Sequence, residues 1–546
     1  MIKKLILGTI LLAICHLSIF AQDVTFSLSE RKVPDSTTKT EKILFQPNIP
    51  PTKEISSTIF KENTDYTGWL YSYHQLWEQL PQLEKWAKTI KPRYKYLVVI
   101  GMGGSSLSAE TLRQLFGKQP KAPELIVLDT SHPDTLIKTE RSIKLSDTLF
   151  IIASKSGSTT ETIYAYDYFW EKMQEITDTP QKHFIAITDE GSYLTKQAHD
   201  KNFLALFINR EDIGGRFSAL SYFGMIPALL AGYDVEGILT SARQYSKHLQ
   251  ANPSLMEYLA QTLTPRQKNH KRLFLSLDKK LNGFGLWIEQ MISESLGKEE
   301  KGIIPLLLNN TKMPHILTKE DILIAIGRKQ PSFDKKFFFL HFEKPTDIGK
   351  FFLLWEVVTV RTGELMKINP FDQPDVNLSK SLTKKILKEG NTDFSNTAFS
   401  NAIMQKIMQK NGNKTLTLKD ILRTHTENVD YISLLLYIQP DNSDRKAIRN
   451  FVKHWQCELN IPFSITQGPR YLHSLGQLHK GGPNNGLFII ISQVNQDLFA
   501  KEKSFKNLLL AQSYGDFQAL DENGRKAILI NLPPEISLKD FLRSVE

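Results

Sequence analysis

The chain has 546 residues, 41% of them hydrophobic, with 29 glycines and 25 prolines, as is typical of a globular protein of about two to four domains. Its formal net charge of +10 is spread along the chain without prominent basic runs between aromatic residues, which argues against nucleic acid as a partner and suits a small anionic substrate. The two cysteines, Cys15 and Cys457, cannot form a disulfide framework or a cysteine metal site, and no His-rich ligand spacing implies a metal. We expect Cys457 to be a buried, small hydrophobic residue.

The N-terminus resembles an export signal. Lys3 and Lys4 precede a mostly apolar run from Leu5 to Phe20, and the small residue Ala21 follows. This pattern favours a secretory signal peptide over residues 1–22, and the run is too short for a stable membrane span. The alternative is an N-terminal helix packed on the domain. Residues 23–94 are predicted to form a Thr-, Ser- and Pro-rich arm that leads into one or two helices.

Strands and helices alternate from residue 95 to about 245, which predicts a parallel sheet covered on both faces. A second α/β unit is expected over residues 265–546, with a polar, helix-containing insertion at about 380–420. The predicted fold class is therefore α/β, with two doubly wound αβα sandwich domains. The predicted strands are Tyr96 to Ile100, Leu125 to Leu128, Leu149 to Ala153, His183 to Thr188, Phe203 to Ile208, Leu273 to Leu277, Asp321 to Ile326, Phe337 to Phe342, Tyr431 to Ile438 and Leu487 to Ser492.

A hydroxyl-rich loop follows the predicted strand from Leu149 to Ala153 and opens an apolar helix. Backbone N–H groups and the positive end of the helix dipole meet at such a junction and suit an anion. We interpret the loop as a phosphate cradle, although Ser and Thr at a helix start are often ordinary N-caps. The cradle residues are Ser154, Lys155, Ser156, Ser158, Thr159 and Thr160.

A glycine-rich loop, Gly101 to Ser106, follows the first predicted strand. It resembles a dinucleotide-binding loop, but Ser106 stands where the third glycine of that fingerprint belongs. The hydroxyl-rich loop competes for the same crevice at the edge of the sheet, so we disfavour a nucleotide.

Four further residues have side chains suited to charge or proton transfer. Arg216 lies between glycines and an apolar helix, and it requires an anion or a carboxylate partner such as Glu211 or Asp212. Gln290 and Glu294 are four residues apart on a predicted helix, so they share one face, but spacing alone favours a solvated Glu294. His473 lies in a predicted loop, where a histidine can exchange protons near neutral pH but is more often a surface residue.

Together these segments resemble the glucose-6-phosphate isomerase family, proteins of two sugar-isomerase (SIS) domains. The resemblance extends from about Lys95 to Ser492. Its motif order, with Gln373 to Val376 before the His473 segment, is similar to the isomerase half of transaldolase/glucose-6-phosphate isomerase fusions. The matching stretches are Gly101 to Ser106, Ser154 to Thr162, Gly214 to Ser218, Ser293 to Lys298, Gln373 to Lys380 and Leu472 to Gln477.

The resemblance implies a reversible isomerase of glucose 6-phosphate and fructose 6-phosphate that needs no cofactor. Glu294 would be the base, Arg216 would stabilise the enediolate, and His473 and Lys380 would open the ring. The histidine would reach the site from the other subunit of a homodimer. The implied substrate contacts are Gly104, Ser105, Ser154, Lys155, Ser156, Thr159, Gln290 and, near the phosphate, Gln373.

Three questions stay open at this level. An isomerase that also accepts mannose 6-phosphate has the same pattern, and so does a non-catalytic sugar-phosphate sensor, although the sensor would not need Glu294, His473 or Lys380. A cytoplasmic location is expected from the substrate, whereas residues 1–22 point to export.

Overall fold

The computed structural model describes residues 43–45, 66–266, 270–308, 316–333, 336–390, 397–404 and 417–546. The predicted signal peptide, most of the predicted arm and the centre of the predicted insertion lie outside these residues. Within them, no helix is both long enough and apolar enough to cross a membrane.

The first sheet contains six parallel strands of apolar and β-branched residues, as expected for a sheet that is covered on both faces. The strands are β1 (Ile43–Phe45), β2 (Tyr96–Ile100), β3 (Glu124–Leu128), β4 (Thr148–Ala153), β5 (Phe184–Asp189) and β6 (Ala205–Asn209). Their order across the sheet is β1-β6-β5-β4-β2-β3. The accompanying helices are α1 (Ser72–Ile90), α2 (Gly104–Phe116), α3 (Pro133–Ser142), α4 (Thr160–Ile176), α5 (Tyr193–Asp200), α6 (Tyr222–Leu230), α7 (Val235–Ala251) and α8 (Ser254–Leu263).

The second sheet is smaller and also parallel. Its strands are β7 (His270–Leu277), β8 (Gly302–Leu307), β9 (Ile322–Gly327) and β10 (Phe338–His341), in the order β10-β9-β7-β8. The helices of this part are α9 (Asn282–Leu296) and α10 (Ile348–Met366). All but two residues of α9 are buried, because it packs between α2, α10 and β8.

The third sheet is parallel apart from its first strand. Its strands are β11 (Thr397–Phe399), β12 (Tyr431–Tyr437), β13 (Phe463–Gln467), β14 (Gly486–Ser492) and β17 (Lys526–Asn531), in the order β11-β17-β14-β12-β13. A short hairpin, β15 (Phe499–Ala500) and β16 (Lys503–Ser504), stands apart. The helices are α11 (Val376–Glu389), α12 (Leu418–Thr424), α13 (Asn442–Leu459), α14 (Gly476–Gly481), α15 (Phe505–Glu522) and α16 (Leu538–Val545).

Shared hydrophobic cores join the sheets. One core combines residues of the first sheet, such as Val99 and Ile151, with Leu273 and Ile324 of the second. Another core joins the second sheet to the third, through residues that include Phe274 and Ile490. Burying such apolar surface contributes roughly 25 cal/mol per Å², so each sheet is stabilised by its neighbour.

The α/β class and the parallel sheets agree with the prediction, but two details do not. The strands after His270 are divided between two sheets rather than gathered in one. Cys457 is exposed, not buried, because it lies on the outer face of α13, whose buried residues include Phe451 and Trp455. The boundaries of the predicted domains stay predictions.

Candidate active site

The candidate site lies where the first sheet changes winding direction. From β2 the chain continues to β3 on one side, and it enters β4 on the other side. Loops that follow two such neighbouring parallel strands diverge and leave a crevice at their carboxyl ends. The two loops here are Gly101 to Gly103 and Ser154 to Thr159, the glycine-rich and hydroxyl-rich segments singled out in the sequence.

The hydroxyl-rich loop is a tight turn that is closed by its own side chains. Ser154 Oγ and Thr159 Oγ1 lie 3.1 Å apart, and Ser154 is buried. Gly157 has a φ of +65°, and a Cβ there would come within 2.5 Å of Ser192 Oγ, so a side chain is excluded twice. The Lys155 amine bonds to the Asp189 carboxylate and the Glu211 carbonyl oxygen. Its charge is therefore directed away from the cavity that the other residues line.

That cavity has a volume of about 230 Å³, and its lining combines hydroxyl groups with cationic side chains. α11 contributes Lys380 and Lys384, and a 3-10 turn at Arg470–His473 contributes His473. Neither lysine forms an ion pair with another described residue. The lining hydroxyl residues are Ser156, Ser158, Thr159, Thr160, Ser379 and Thr383. Such a lining suits a small polar anion, since each hydroxyl can donate and each amine carries charge.

His473 is held by the carboxylate of Glu161, a residue to which no role was assigned from the sequence. Its imidazole Nε2 lies 2.8 Å from Glu161 Oε1, in the first turn of α4. Burial acts to raise the pKa of Glu161, but the charges of His473 and Lys380 and the hydrogen bond to His473 outweigh burial and lower it. Both residues belong to the same chain. The expectation that the histidine comes from a second subunit stays a prediction.

Arg216 is buried at the junction of three segments, and all of its N–H groups have acceptors. Its Nε donates to Ser295 Oγ at 2.8 Å, and its Nη2 donates to the Pro370 carbonyl oxygen at 2.6 Å and to that of Asp372 at 3.1 Å. Its Nη1 donates to Gln373 Oε1 at 2.7 Å and more weakly, at 3.4 Å, to Glu294 Oε2. The carboxylate partner that the sequence required is therefore Glu294.

Glu294 is buried rather than solvated, because α9 is enclosed by other elements on every side. Burial raises its pKa, and the charges of Arg216, His473 and Lys380 act against that shift. Gln290 Nε2 donates to Glu294 Oε2 at 3.2 Å and to the His473 carbonyl oxygen at 2.9 Å. Gln290 thus fixes the carboxylate and the backbone of the His473 turn relative to each other.

The glycine-rich loop packs against protein rather than leaving room for a pyrophosphate. A Cβ at Gly104 would lie 1.9 Å from the Gly215 carbonyl oxygen, and one at Gly103 would lie 2.6 Å from that of His473. Ser105, the next predicted substrate contact, is buried in the first turn of α2. The glycines therefore serve the close approach of three backbone segments, which disfavours the dinucleotide alternative.

A second buried cation supports the segment that Arg216 contacts. Lys298 Nζ donates to the Asn369 and Asp372 carbonyl oxygens at 2.7 and 2.6 Å, and it forms an ion pair with the Asp372 carboxylate. Gln373, which was expected near the phosphate, instead bonds to Arg216 and is exposed. Residues 369–373 are thus held against α9 by two cations, and Gln373 and Asp372 are the exposed partners of Arg216.

The described residues contain no group of three or more His, Cys, Asp or Glu side chains that could hold a metal ion. A larger open groove of about 540 Å³ lies between α7 and residues 344–350. It mixes acidic and basic side chains, and it lies apart from the residues singled out in the sequence.

Glu289, beside Gln290 on α9, makes the stability of the fold depend on pH. Burial raises its pKa from 4.5 to about 8, and Arg470 opposes the shift. Between these values the folded state holds a proton that the unfolded state has lost, so stability falls as the pH rises through this window. Glu289→Gln removes this loss. We expect the free energy of unfolding of the variant, relative to the unmodified protein, to rise by about 1.4 kcal/mol per pH unit within the window.

Urea denaturation of both proteins at pH 5, 6.5 and 8 measures this difference. Parallel stability profiles for the two proteins would show that Glu289 ionises normally in the fold.

The chain matches the phosphoglucose isomerase family over residues 69–303. Over 236 residues it is 32% identical to a glucose-6-phosphate isomerase of Campylobacter jejuni, covering 41% of this chain and 57% of the relative. Over 346 residues it is 27% identical to the glucose-6-phosphate isomerase of Methanocaldococcus jannaschii, covering 54% of this chain and 85% of the relative. The family match includes the cradle, Arg216 and Glu294. It ends before Gln373, Lys380 and His473.

Two solved structures share the fold. A hypothetical protein of Thermus thermophilus superimposes with a TM-score of 0.52 at 23% identity, covering 60% of this chain and 91% of that one. A glucose-6-phosphate isomerase of Chlamydia trachomatis superimposes with a TM-score of 0.50 at 20% identity, covering 67% of this chain and 83% of that one. The family match and the sequence relatives confirm the resemblance seen in the sequence, and these two structures confirm the α/β fold.

Proposed function

From this relationship to the phosphoglucose isomerases, we propose that the protein interconverts D-glucose 6-phosphate and D-fructose 6-phosphate. The observation that carries the proposal is the grouping within one chain of a buried carboxylate (Glu294), a buried guanidinium (Arg216) and an imidazole–carboxylate pair (His473 and Glu161) beside a hydroxyl-lined cavity. An aldose–ketose isomerisation needs a base, a positive group for the developing oxyanion, and an acid–base pair for the closed ring.

In the proposed first step, His473 and Lys380 open the sugar ring. Breaking the bond between the anomeric carbon and the ring oxygen requires a proton on that oxygen and removal of the anomeric hydroxyl proton. Both side chains line the same cavity as the cradle hydroxyls. Glu161 orients the imidazole through its Nε2, and the other ring nitrogen, which has no hydrogen-bond partner among the described residues, is available to the substrate.

In the proposed second step, Glu294 moves a proton between C2 and C1. The carbonyl group of the open-chain sugar acidifies the neighbouring C–H bond, and loss of that proton gives a cis-enediolate. A carboxylate whose pKa is raised by burial is a stronger base than one in water, which suits this task. The remaining hydroxyl proton moves between O1 and O2 of the cis-enediolate, and return of the first proton to the other carbon completes the isomerisation.

Arg216 stabilises the enediolate chiefly through its charge. All of its N–H groups are already accepted by protein oxygens, and burial strengthens its field by excluding water. A direct hydrogen bond to the substrate requires one partner to move, and the exposed Gln373 is the partner best placed to do so.

The phosphate is proposed to bind the cradle hydroxyls, which yields a prediction for Thr159. Thr159→Val keeps the side-chain shape but removes a hydroxyl that faces both Ser154 and the cavity. Loss of one hydrogen bond to a charged group costs about 1.5–3 kcal/mol. We therefore expect KM for fructose 6-phosphate to rise at least about tenfold with little change in kcat, as measured by initial rates.

Thr162→Val is the matched control for Thr159. Thr162 lies one turn further along α4, and its buried hydroxyl makes no hydrogen bond to any described residue. The control should keep the KM of the unmodified protein. If Thr159→Val also keeps that KM, the phosphate does not bind this loop.

A coupled assay tests the activity itself. The purified protein should form glucose 6-phosphate from fructose 6-phosphate, detected by a glucose-6-phosphate dehydrogenase. Binding of fructose 6-phosphate without turnover would support the sensor alternative. Turnover of mannose 6-phosphate in a parallel assay would extend the substrate range.

A homodimer and a cytoplasmic location complete the proposal. Because His473 reaches Glu161 in its own chain, the proposed chemistry needs no group from a second subunit. Activity measured across a dilution series, together with sedimentation analysis, tests whether the protein is a dimer and whether its activity depends on the second subunit. Mass spectrometry of the mature N-terminus in the host tests the location, since a start near Gln22 would establish processing.

A further inference from the structure

Helix α15 is outside the residues to which the sequence assigned any role, yet it reaches the candidate site. Gln512, in the middle of α15, is buried and lines the same cavity as His473 and Lys380. Its Nε2 donates to Glu161 Oε1 at 2.6 Å. The same carboxylate oxygen lies 2.8 Å from His473 Nε2, so Gln512 and His473 share one acceptor atom.

The orientation of the Gln512 amide is fixed from its other end. Ser131 Oγ donates to Gln512 Oε1 at 2.9 Å, and Ser131 is fully buried. The reversed amide would place its oxygen against the Glu161 carboxylate, and that arrangement is repulsive. A continuous chain of hydrogen bonds therefore runs from Ser131 through Gln512 and Glu161 to His473.

The backbone of α15 is itself anchored beside this chain. Asp516, one turn after Gln512, is fully buried and forms an ion pair with Lys480 at 2.5 Å. It also accepts hydrogen bonds from Tyr471 and Ser379, at 2.5 and 3.3 Å. Tyr471 belongs to the 3-10 turn that carries His473, and Ser379 precedes Lys380. Helix α15 therefore contacts the segments that carry His473 and Lys380, the two proposed ring-opening residues.

We propose that Gln512 is a positioning residue for ring opening, acting on His473 through the Glu161 carboxylate. This inference rests on the proposed isomerase function. When the Glu161 carboxylate loses one of its two side-chain donors among the described residues, it is held less firmly, and the imidazole then loses its fixed orientation towards the sugar ring. Gln512 does not contact Glu294 or Arg216, so the proton transfer between C2 and C1 should not depend on it.

Gln512→Leu tests the proposal by separating ring opening from binding. We expect kcat/KM for fructose 6-phosphate to fall about tenfold, the effect of one lost charge-assisted hydrogen bond. Binding of an acyclic five-carbon aldonate phosphate, which needs no ring opening, should stay within about twofold of the unmodified protein. Gln493→Leu is the matched control: it removes another buried glutamine, whose side-chain amide bonds, among the described residues, to the Pro533 and Ile536 carbonyl oxygens alone, and it should leave both quantities unchanged.

Gln512→Glu supplies a readout that a purely structural role would not give. When ionised, the introduced carboxyl cannot donate to Glu161, whereas its protonated form can. Two adjacent carboxyl groups share a proton readily, because each raises the pKa of the other. The activity of this variant relative to the unmodified protein should therefore rise as the pH falls from 9 to 6.5, while that of Gln512→Leu stays constant.

The outcomes are distinguishable from failure of the proposed function. If the unmodified protein does not convert fructose 6-phosphate, the isomerase proposal fails and this inference fails with it. If the unmodified protein is active and folded Gln512→Leu matches it, Gln512 has no positioning role. Equal losses in kcat/KM and in binding of the acyclic compound would also overturn the inference, since they would indicate a general distortion of the cavity.

Discussion

Replacing Glu294 with glutamine is expected to lower kcat for fructose 6-phosphate by about 10³-fold, within the range for removal of a general base. Glutamine has nearly the same shape and can keep a contact with Gln290, so KM should change little. The Arg216 guanidinium would lose its only carboxylate within hydrogen-bond distance among the described residues. Initial rates from the coupled assay measure the effect, and thermal unfolding shows that the variant is folded.

Glu289→Gln is the matched control for this experiment. Glu289 precedes Gln290 on α9, is also buried, and is largely protonated at pH 7 because burial raises its pKa to about 8. A neutral glutamine therefore resembles its protonated form closely, and activity at pH 7 should be retained. If only the Glu289→Gln control lost activity, Glu289 rather than Glu294 would be the base.

Replacing Arg216 with lysine is expected to lower kcat by about 10²-fold, the typical effect of removing a preorganised group that stabilises developing charge. Lysine keeps the positive charge but cannot reproduce five donors in a planar fork, so several of the acceptors around Arg216 lose their hydrogen bonds. Because the Ser295 hydroxyl and the Pro370 carbonyl oxygen are buried, the free energy of unfolding should also fall by about 3 kcal/mol. Steady-state kinetics and urea denaturation measure the two effects.

Arg210→Lys is the control for Arg216, since Arg210 pairs with Asp212 two residues away and outside the cavity. It should leave kcat unchanged. Full activity of Arg216→Lys would show that point charge alone suffices at this position and that the rigid fork has no catalytic role.

The positions of the hydroxyl-rich cradle and the glycine-rich loop could be predicted from the sequence, because the residues of each form a local pattern. The cradle and the glycine-rich loop directly follow two strands that the apolar runs identify, and neighbouring parallel strands bring such loops together. The burial of Glu294 could not be predicted from the sequence. Helical spacing places Gln290 and Glu294 on one face, but only the packing of α2, α10 and β8 around α9 decides whether that face meets water.

The part of the site around His473 and Glu161 depends on contacts between residues that are far apart in the chain. Glu161 is 312 residues from His473 and 351 from Gln512, and no spacing rule relates them. Lys155, unlike Glu161, was assigned a role from the sequence, because a lysine within the cradle was expected at the phosphate. Its amine bonds instead to Asp189 at the end of β5, which the sequence could not place beside it. Lys298 likewise showed no pattern that would indicate its contacts with residues 369–372.

In the proposed mechanism, Glu294 transfers a proton between C2 and C1 of a hexose phosphate. Incubating fructose 6-phosphate with the purified protein in deuterated water, followed by proton NMR, follows this transfer. We expect glucose 6-phosphate carrying deuterium at C2, formed by the unmodified protein and about 10³-fold more slowly by Glu294→Gln. Deuterium incorporation at equal rates by both proteins, or no glucose 6-phosphate from the unmodified protein, would contradict this mechanism.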